Sequence, residues 1–298
     1  MSKGYSIVMF AHNEEKNIQG SITSVLSNVD EELNQFTVIA NGCDDKTASI
    51  IKHLISLNPT NRLRLVELEV GDKCNAWNTY VHKLAHNSEV HFFLDADVRF
   101  TTNVFPKMYS KLMQTNNVNA IAGLPFSGRN MKEYKSMVED KYCLFGNCYG
   151  LKANFIELVR NKGFKLPIGL GWIDSAITKV VNTDVGDITQ PKKGKVTFDD
   201  KCGYEFESLS LFNKNDWQLY KNRITRYRLG KMQEVHLDKL PFTSWPDTLH
   251  DINQLVLSEI KANSPWYNFL ERKLVVARVK KFAKKIPLST HKYLSPKY

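Results

Sequence analysis

Short apolar runs and amphipathic segments alternate four times over the first hundred residues. This alternation restricts the fold more than any other feature of the chain. "YSIVMFA" from Tyr5, "FTVIANG" from Phe36, "RLRLVELEV" from Arg62 and "VHFFL" from Val90 are rich in β-formers and have the length of strands. The segments between them have helical spacing. Ile18, Ile22, Val25 and Leu26 make one apolar face, and Trp77, Val81 and Leu84 another. "DKTASIIKHLISL" is a further helix. Asn13 is the expected cap of the first helix, with Glu14 and Glu15 in its first turn. Strands alternating with helices of this length predict an α/β chain with a doubly wound, mostly parallel sheet. Ligands of such sheets bind beyond the carboxyl ends of the strands. "AHNEE", "ANGCDD" and "DADV" all fall there, so three polar strand ends share one edge.

The last of these ends raises a question of charge. Side chains in a strand alternate faces, so Asp95 and Asp97 in "HFFLDADVRF" converge on one spot past the apolar run. Two like charges held together are unfavourable without a cation or donors between them. The pair therefore hints at a divalent metal. The other reading, Asp as a turn or cap residue, stays open on spacing alone.

After about residue 125 the pattern loosens. "ANFIELV" reads as a helix, and "GFKLPIGLGWIDSAITKVV" as a Gly/Pro loop leading into a helix begun near Asp174. Lys192 to Lys201 reads as a loop. "WQLYKNRITRYRLGKM", "DTLHDINQLVLSEIKA" and "WYNFLERKLVVARVKKFAKKI" read as three more helices.

The 298 residues carry a formal charge of +10. From Lys261 onward there are ten Lys/Arg against Glu271 alone, which gives +9 and leaves the body at about +1. A body near neutrality is not a nucleic-acid surface, so no nucleic acid is expected as a partner. No apolar run reaches the length of a membrane span and no signal peptide opens the chain. A soluble, cytoplasmic protein is expected. Its five scattered cysteines, without a C-x-x-C pair, read as reduced thiols rather than a zinc site. In the tail, Val275, Val279, Phe282 and Ile286 form an apolar stripe. Arg272, Lys273, Arg278, Lys280, Lys281, Lys284 and Lys285 surround it, and Trp266 and Tyr267 precede it. That composition suits a helix lying in an anionic membrane surface, or a terminal helix packed on the body. The membrane reading is the one favoured here.

Six segments, in order, resemble the family 2 glycosyltransferases of the GT-A fold over roughly Tyr5 to Tyr227. "IVMFAHNEEKNI" is similar to the family's opening strand and P-x-Y-N-E turn. "VIANGCDDKTASII" resembles its V-D-N-G-S-x-D-x-T segment, and "GDKCNAWNTYVHKLA" its G-K-x-x-A-x-N helix. "FFLDADV" resembles D-x-D, "GFKLPIGLGWIDSAI" the loop usually written E-D, and "RITRY" is a weak cousin of Q-x-x-R-W. Ala40 stands where many members have Asp, Ile173 where they have Glu, Arg223 in place of Gln and Tyr227 in place of Trp.

The resemblance implies a GT-A fold, Rossmann-like and mostly parallel, with a C-terminal helical extension. Residues 1–125 would form the nucleotide-sugar-binding half and 126–240 the acceptor-binding and catalytic half of one domain. Residues 241–298 would be a basic, membrane-associating extension. The implied activity is metal-dependent, inverting and non-processive transfer of a sugar from a nucleotide-diphosphate sugar, UDP-sugar favoured, to a glycan or lipid-linked acceptor. The enzyme would be peripheral on the inner face of the cell membrane and work in surface polysaccharide assembly.

The resemblance also assigns roles. Asp97 would ligate Mg²⁺ or Mn²⁺, with Asp95 on the ribose or near the metal. His236 would be a third metal ligand. His12 would stack on the base, and Asn41 and Lys73 would contact base and phosphate. Ala11, Asn13, Glu14, Asn78 and Ala96 complete the donor site. Asp174 would be the general base that removes the acceptor proton, or else a plain helix cap. Trp172, Arg223, Arg226 and Tyr227 would bind acceptor or diphosphate. The alternatives are a sugar-nucleotide nucleotidyltransferase, whose Gly-rich loop "FAHNEEKN" lacks, and a non-catalytic basic membrane-binding protein on a similar fold.

Overall fold

The computed structural model of the chain describes residues 3–57, 62–85, 87–127, 131–206, 214–261 and 269–285. The first half follows the expected alternation: β1 (Tyr5–Ala11), α1 (Ile18–Leu26), β2 (Leu33–Asn41), α2 (Thr47–Leu57), β3 (Leu63–Leu68), α3 (Lys73–Thr79) and β4 (Val90–Asp95). A π-helical turn, Tyr80–Leu84, extends α3. There follow β5 (Val98–Phe100), α4 (Val104–Gln114), β6 (Ala120–Pro125), α5 (Met131–Lys141), β7 (Cys148–Lys152), α6 (Ala153–Asn161) and α7 (Ile173–Asn182). Then come β8 (Val196–Phe206), α8 (Lys214–Leu237), α9 (His250–Lys261) and α10 (Phe269–Lys285).

The eight strands form one sheet in the order β3-β2-β1-β4-β7-β6-β8-β5. β3, β2, β1 and β4 are parallel, as are β6 and β8, while β7 runs against both β4 and β6, and β5 against β8. The sheet is therefore continuous across residue 125. Alternate residues of β1 enter different cores. Ile7, Met9 and Ala11 meet Ile18, Ile22 and Val25 of α1 and Phe105 of α4. Val8 and Phe10 meet Trp77 of α3, Ile156 of α6 and Leu229 of α8. Both faces are covered, which is why the central strands read as unbroken apolar runs.

Two local expectations are corrected. Asn13 does not cap α1. Its φ of 57° is left-handed, and its amide is committed to Asp44, with Nδ2 donating to Oδ1 at 2.5 Å and Oδ1 accepting from the Asp44 N–H at 3.0 Å. The helix starts five residues later, after Asn17, and Glu14 and Glu15 lie in the preceding loop. Residues 196–201, expected within a loop, begin β8 instead. The polar sequence misled because this strand lies near the sheet's end, where exposed side chains are tolerated. Ladder bonds to β6 and β5 set it as a strand.

The tail helix is also settled by packing. Val275 and Val279 are 1% and 2% exposed and belong to the core that holds α3, α8 and α9. The Phe282 ring lies 5.0 Å from the ring of His250 and covers Gly169 so closely that a β-carbon there would strike it. The stripe expected to enter a membrane is spent on the protein body. Lys273, Lys280, Lys281 and Lys284 stay exposed. Trp266, Tyr267 and Ile286 lie outside the described residues. No helix among the described residues is long and apolar enough to cross a membrane.

Candidate active site

The carboxyl ends of β1, β2, β3 and β4 make the floor of the site. Asn41, buried at the end of β2, joins three of them. Its carbonyl lies 2.7 Å from His12 Nδ1 and its Oδ1 accepts from the Asp72 N–H at 3.0 Å. His12 is thus held at one ring nitrogen and is exposed. Ala11 is fully buried beside it, its carbonyl accepting from Cys43 Sγ at 3.4 Å. The Glu14 N–H donates to Thr47 Oγ1 at 2.8 Å and the Glu15 N–H to Asp45 Oδ2 at 3.0 Å, so the loops after β1 and β2 are tied together.

Asp95 ends β4, and its N–H donates to the Asn147 carbonyl at 3.2 Å. The Ala96 carbonyl accepts from Ser21 Oγ at 2.6 Å, which fixes the turn between the two acids. Asp97 follows, exposed to the cleft. Lys73, the first residue of α3, makes an ion pair with Asp95 Oδ1 and lies 6.0 Å from the Phe10 ring centroid. α3 begins where it does because Asp72 caps it, accepting from the Asn75 N–H at 3.0 Å.

Asp174 comes to the same place from the other half of the sheet. It lies in the first turn of α7, whose cap position is Trp172. The reading of Asp174 as a plain helix cap is therefore set aside. A β-carbon on Gly146 would stand 2.5 Å from Asp174 Oδ1 and 3.1 Å from Lys73 Nζ. A side chain here would press on both groups, so the glycine gives Lys73 and Asp174 room to approach each other. Gly146 was not singled out from the sequence, where nothing local distinguishes it from other loop glycines.

The electrostatics match this crowding. Burial and then the charge of Asp95 raise the Asp174 carboxyl above its ordinary range, against the pull of Lys73 and Arg226. Asp97 is raised by the protein atoms around its carboxyl and then by Asp95, with Lys73 and Arg223 opposing. Glu14 is pushed up to about 6, mainly by burial, with Asp97 and Asp95 adding and Asn17 opposing. Lys73 is raised despite burial, because Asp95 and Asp174 flank it. Four acids, one lysine and two arginines thus share one field, the pattern of a functional cleft.

α8 supplies the far wall. Gly171 and Gly230 allow it to approach: a β-carbon on Gly230 would stand 2.5 Å from Trp172 Cβ, and one on Gly171 would stand 2.7 Å from the Arg226 carbonyl. Arg223 and Arg226 flank the Tyr227 ring at 6.0 and 5.5 Å, and Tyr227 meets Trp172 edge-on at 6.1 Å. Arg223, Arg226, Tyr227 and Trp172 therefore form one patch.

Two expected residues do not join the site. Asn78 has its amide turned to the Leu166 backbone, donating to the Leu166 carbonyl at 2.8 Å and accepting from the Leu166 N–H at 2.9 Å. It clamps the loop before Asp174 to α3. His236 is thirteen residues beyond Arg223 on the same helix, roughly 20 Å along its axis, with Nε2 3.2 Å from Glu259 Oε1 of α9. It faces α9 and not the Asp95–Asp97 pair.

The site suits a divalent cation only in part from protein groups. Asp95 and Asp97 are hard oxygen donors, and no group of three metal-ligating side chains occurs among the described residues. Mg²⁺-type sites with one or two carboxylates take their remaining ligands from substrate phosphates and water. The like-charge stress at Asp97 is what a cation would relieve. The residues present fit such an ion.

Solved structures of similar architecture include the mannosyltransferase PcManGT from Pyrobaculum calidifontis in complex with GDP-Man and Mn²⁺. It is 16% identical, with a TM-score of 0.58 over 94% of this chain and 86% of that one. Another is S. aureus TarS 1-349 in complex with UDP-GlcNAc, 14% identical with a TM-score of 0.58 over 95% of this chain and 82% of that one. No curated protein matches the chain in sequence. Residues 6–172, running from β1 to the edge of α7, match the Glycosyl transferase family 2. That span covers the three polar strand ends, the Asp95–Asp97 turn, Lys73 and the loop leading to Asp174. The chain belongs to glycosyl transferase family 2.

Proposed function

We propose that the chain is a metal-dependent, inverting glycosyltransferase. It moves a sugar from a nucleotide-diphosphate sugar, with UDP favoured as the nucleotide, to a glycan or lipid-linked acceptor. The observation that carries this is the meeting of Lys73, Asp95 and Asp174 over Gly146, with Asp97 beside them. Asp97 and Asp95 would hold Mg²⁺ or Mn²⁺, which when bound supplies stabilisation for the charge that grows on the leaving diphosphate. The complexes of PcManGT with GDP-Man and Mn²⁺ and of TarS with UDP-GlcNAc support such a donor and ion.

The chain's own residues do the rest. Asn41 and His12 frame the base end of the donor. Lys73 and Arg223 set positive charge beside the diphosphate. Asp174 takes the proton of the acceptor hydroxyl as it attacks the anomeric carbon from the side opposite the leaving group, so configuration inverts. Its raised pKa makes it a stronger base than a free carboxylate. Gly146, with no side chain, leaves room for that carboxyl beside Lys73.

The test is a thermal-shift panel of UDP-sugars and GDP-sugars with Mn²⁺. One class at a hundred times its dissociation constant stabilises by about 2.7 kcal/mol, or roughly 4 °C in Tm for a chain of this length. No metal-dependent shift with any nucleotide-sugar sinks the donor assignment.

Among the described residues the link to a membrane rests on the exposed lysines, because Val275 and Val279 of the apolar stripe are buried and Phe282 rests on Gly169. Each exposed Lys near an anionic surface contributes about 1 kcal/mol. Flotation with vesicles containing anionic lipid is expected at low salt and to be lost at high ionic strength. Flotation that resists salt would show an apolar anchor that this packing does not provide.

A further inference from the structure

Residues 166–172 lead into α7 and carry no helix or strand of their own, yet Leu166, Ile168 and Leu170 are buried. Buried backbone needs partners, and here they come from elsewhere in the chain. Asn78 of α3 holds both backbone groups of Leu166. The Ile168 N–H donates to the Asp247 carbonyl at 2.9 Å, and the Ile168 carbonyl accepts from the Leu249 N–H at 3.0 Å. Asp72 Oδ2 accepts from the Gly169 N–H at 3.0 Å.

The final step before Trp172 is held by one side chain. Gln233 of α8 accepts from the Gly171 N–H at 2.8 Å through Oε1 and donates to the Gly169 carbonyl at 3.2 Å through Nε2. Nε2 also donates to Asn253 Oδ1 of α9 at 2.8 Å. Gln233 is fully buried and Asn253 is 2% exposed. Their helix neighbours Met232, Ile252 and Val256 are core residues. α8 comes close enough because Gly230, one turn before Gln233, faces Gly171: a β-carbon on Gly171 would stand 2.9 Å from the Gly230 nitrogen.

Burying an amide among apolar residues is unfavourable unless its bonds are made. An amide offers an acceptor and a donor at a fixed separation. Both bonds form only when the loop presents the Gly169 carbonyl and the Gly171 N–H together. Trp172 then caps α7 and Asp174 follows in its first turn, so a shift at Gly171 moves the carboxyl relative to Lys73. A misplacement of about 1 Å from outside the chemistry costs on the order of 10²-fold in rate. Gln233 and Asn253 both lie beyond residues 6–172, the span matched to the family.

We propose that Gln233, held in turn by Asn253, is a positioning residue that sets the place of Asp174 through the backbone of Gly169 and Gly171. This rests on the transferase reading above and makes the helices after the matched span part of the catalytic apparatus.

The experiment follows release of UDP from UDP-glucose and UDP-GlcNAc, and of GDP from GDP-mannose, by the full chain with Mn²⁺. In Gln233→Met, which keeps the volume and loses both bonds, kcat is expected to fall at least tenfold, with nucleotide affinity changed by less than twofold. In an Asp174→Asn background the same substitution is expected to add less than a twofold loss, because the group it positions is already gone. Val25→Ala, in the other core, is expected to lower Tm and keep kcat. Hydrogen exchange over residues 166–172 should be at least tenfold faster in Gln233→Met, with β1 and β4 unchanged. Gln233→Asn keeps an amide but is one methylene too short to reach both groups, so it carries the same test if Gln233→Met does not fold. Native kcat in the folded variants with only a lower Tm overturns the proposal. So does an equal loss in the Asp174→Asn background, which would place the effect elsewhere in the site. If the native chain turns over none of these donors, exchange decides: faster exchange over the loop keeps the clamp while the transferase reading falls, and unchanged exchange removes the clamp as well.

Discussion

Replacing Asp97 with Asn is expected to abolish metal-dependent turnover of the donor while the chain stays folded. The carboxylate sits exposed in the cleft, so an isosteric amide disturbs no packing. What it removes is the negative charge and the hard oxygen that a divalent ion needs. Loss of stabilisation at a developing charge costs on the order of 10²–10³ in rate even for a single donor, and loss of the ion costs more. Stability should hold or rise slightly. A carboxyl whose pKa is raised in the fold is ionised at a cost there, so removing its charge relieves the cleft. The measurements are donor turnover with Mn²⁺ and the melting temperature of each protein. Unchanged turnover would remove Asp97 from the metal site.

Asp174→Asn is the second large effect. Transfer is expected to fall by about 10² to 10⁴, the range for loss of a general base, with nucleotide affinity nearly intact. The geometry is not that of a helix cap. Trp172 occupies the cap of α7, and Asp174 projects over Gly146 toward Lys73 rather than back to the helix end. The pH profile gives an independent check. A raised pKa means that the carboxylate takes up its proton at a higher pH than a free aspartate does. The acid limb of activity should therefore lie above the ordinary carboxylate range, with activity falling as pH falls through it. The variant should lack that limb. Normal transfer with only a lower melting temperature would reduce Asp174 to a helix residue.

The tail helix differs from these two acids. Val275, Val279 and Phe282 are visible in the sequence as an apolar stripe, and the structure buries the two valines and rests Phe282 on Gly169. The same packing spent the stripe on which the membrane reading relied. An amphipathic pattern states that a face must be covered, and a membrane, a partner or the protein itself can cover it.

Sequence alone determined the parts that depend on local periodicity and on motif order. The strands and helices through β4, the polar ends on one sheet edge, the Asp95–Asp97 pair and the family could all be read from neighbours within a few residues of each other. The tertiary structure decided what depends on residues far apart in the chain. It put Asn78 on the Leu166 backbone and His236 on Glu259, out of the site. It turned the polar stretch after Val196 into a strand through its bonds to β6 and β5. It also brought Lys73, Asp95 and Asp174 together across 101 positions of sequence, at a glycine no local signal distinguishes. The physical reason is one of range. Helical and strand periods arise from backbone geometry and repeat every few residues. A side chain's partner is set by which surfaces come into contact when the sheet closes and the helices dock, and that is a property of the whole packed chain.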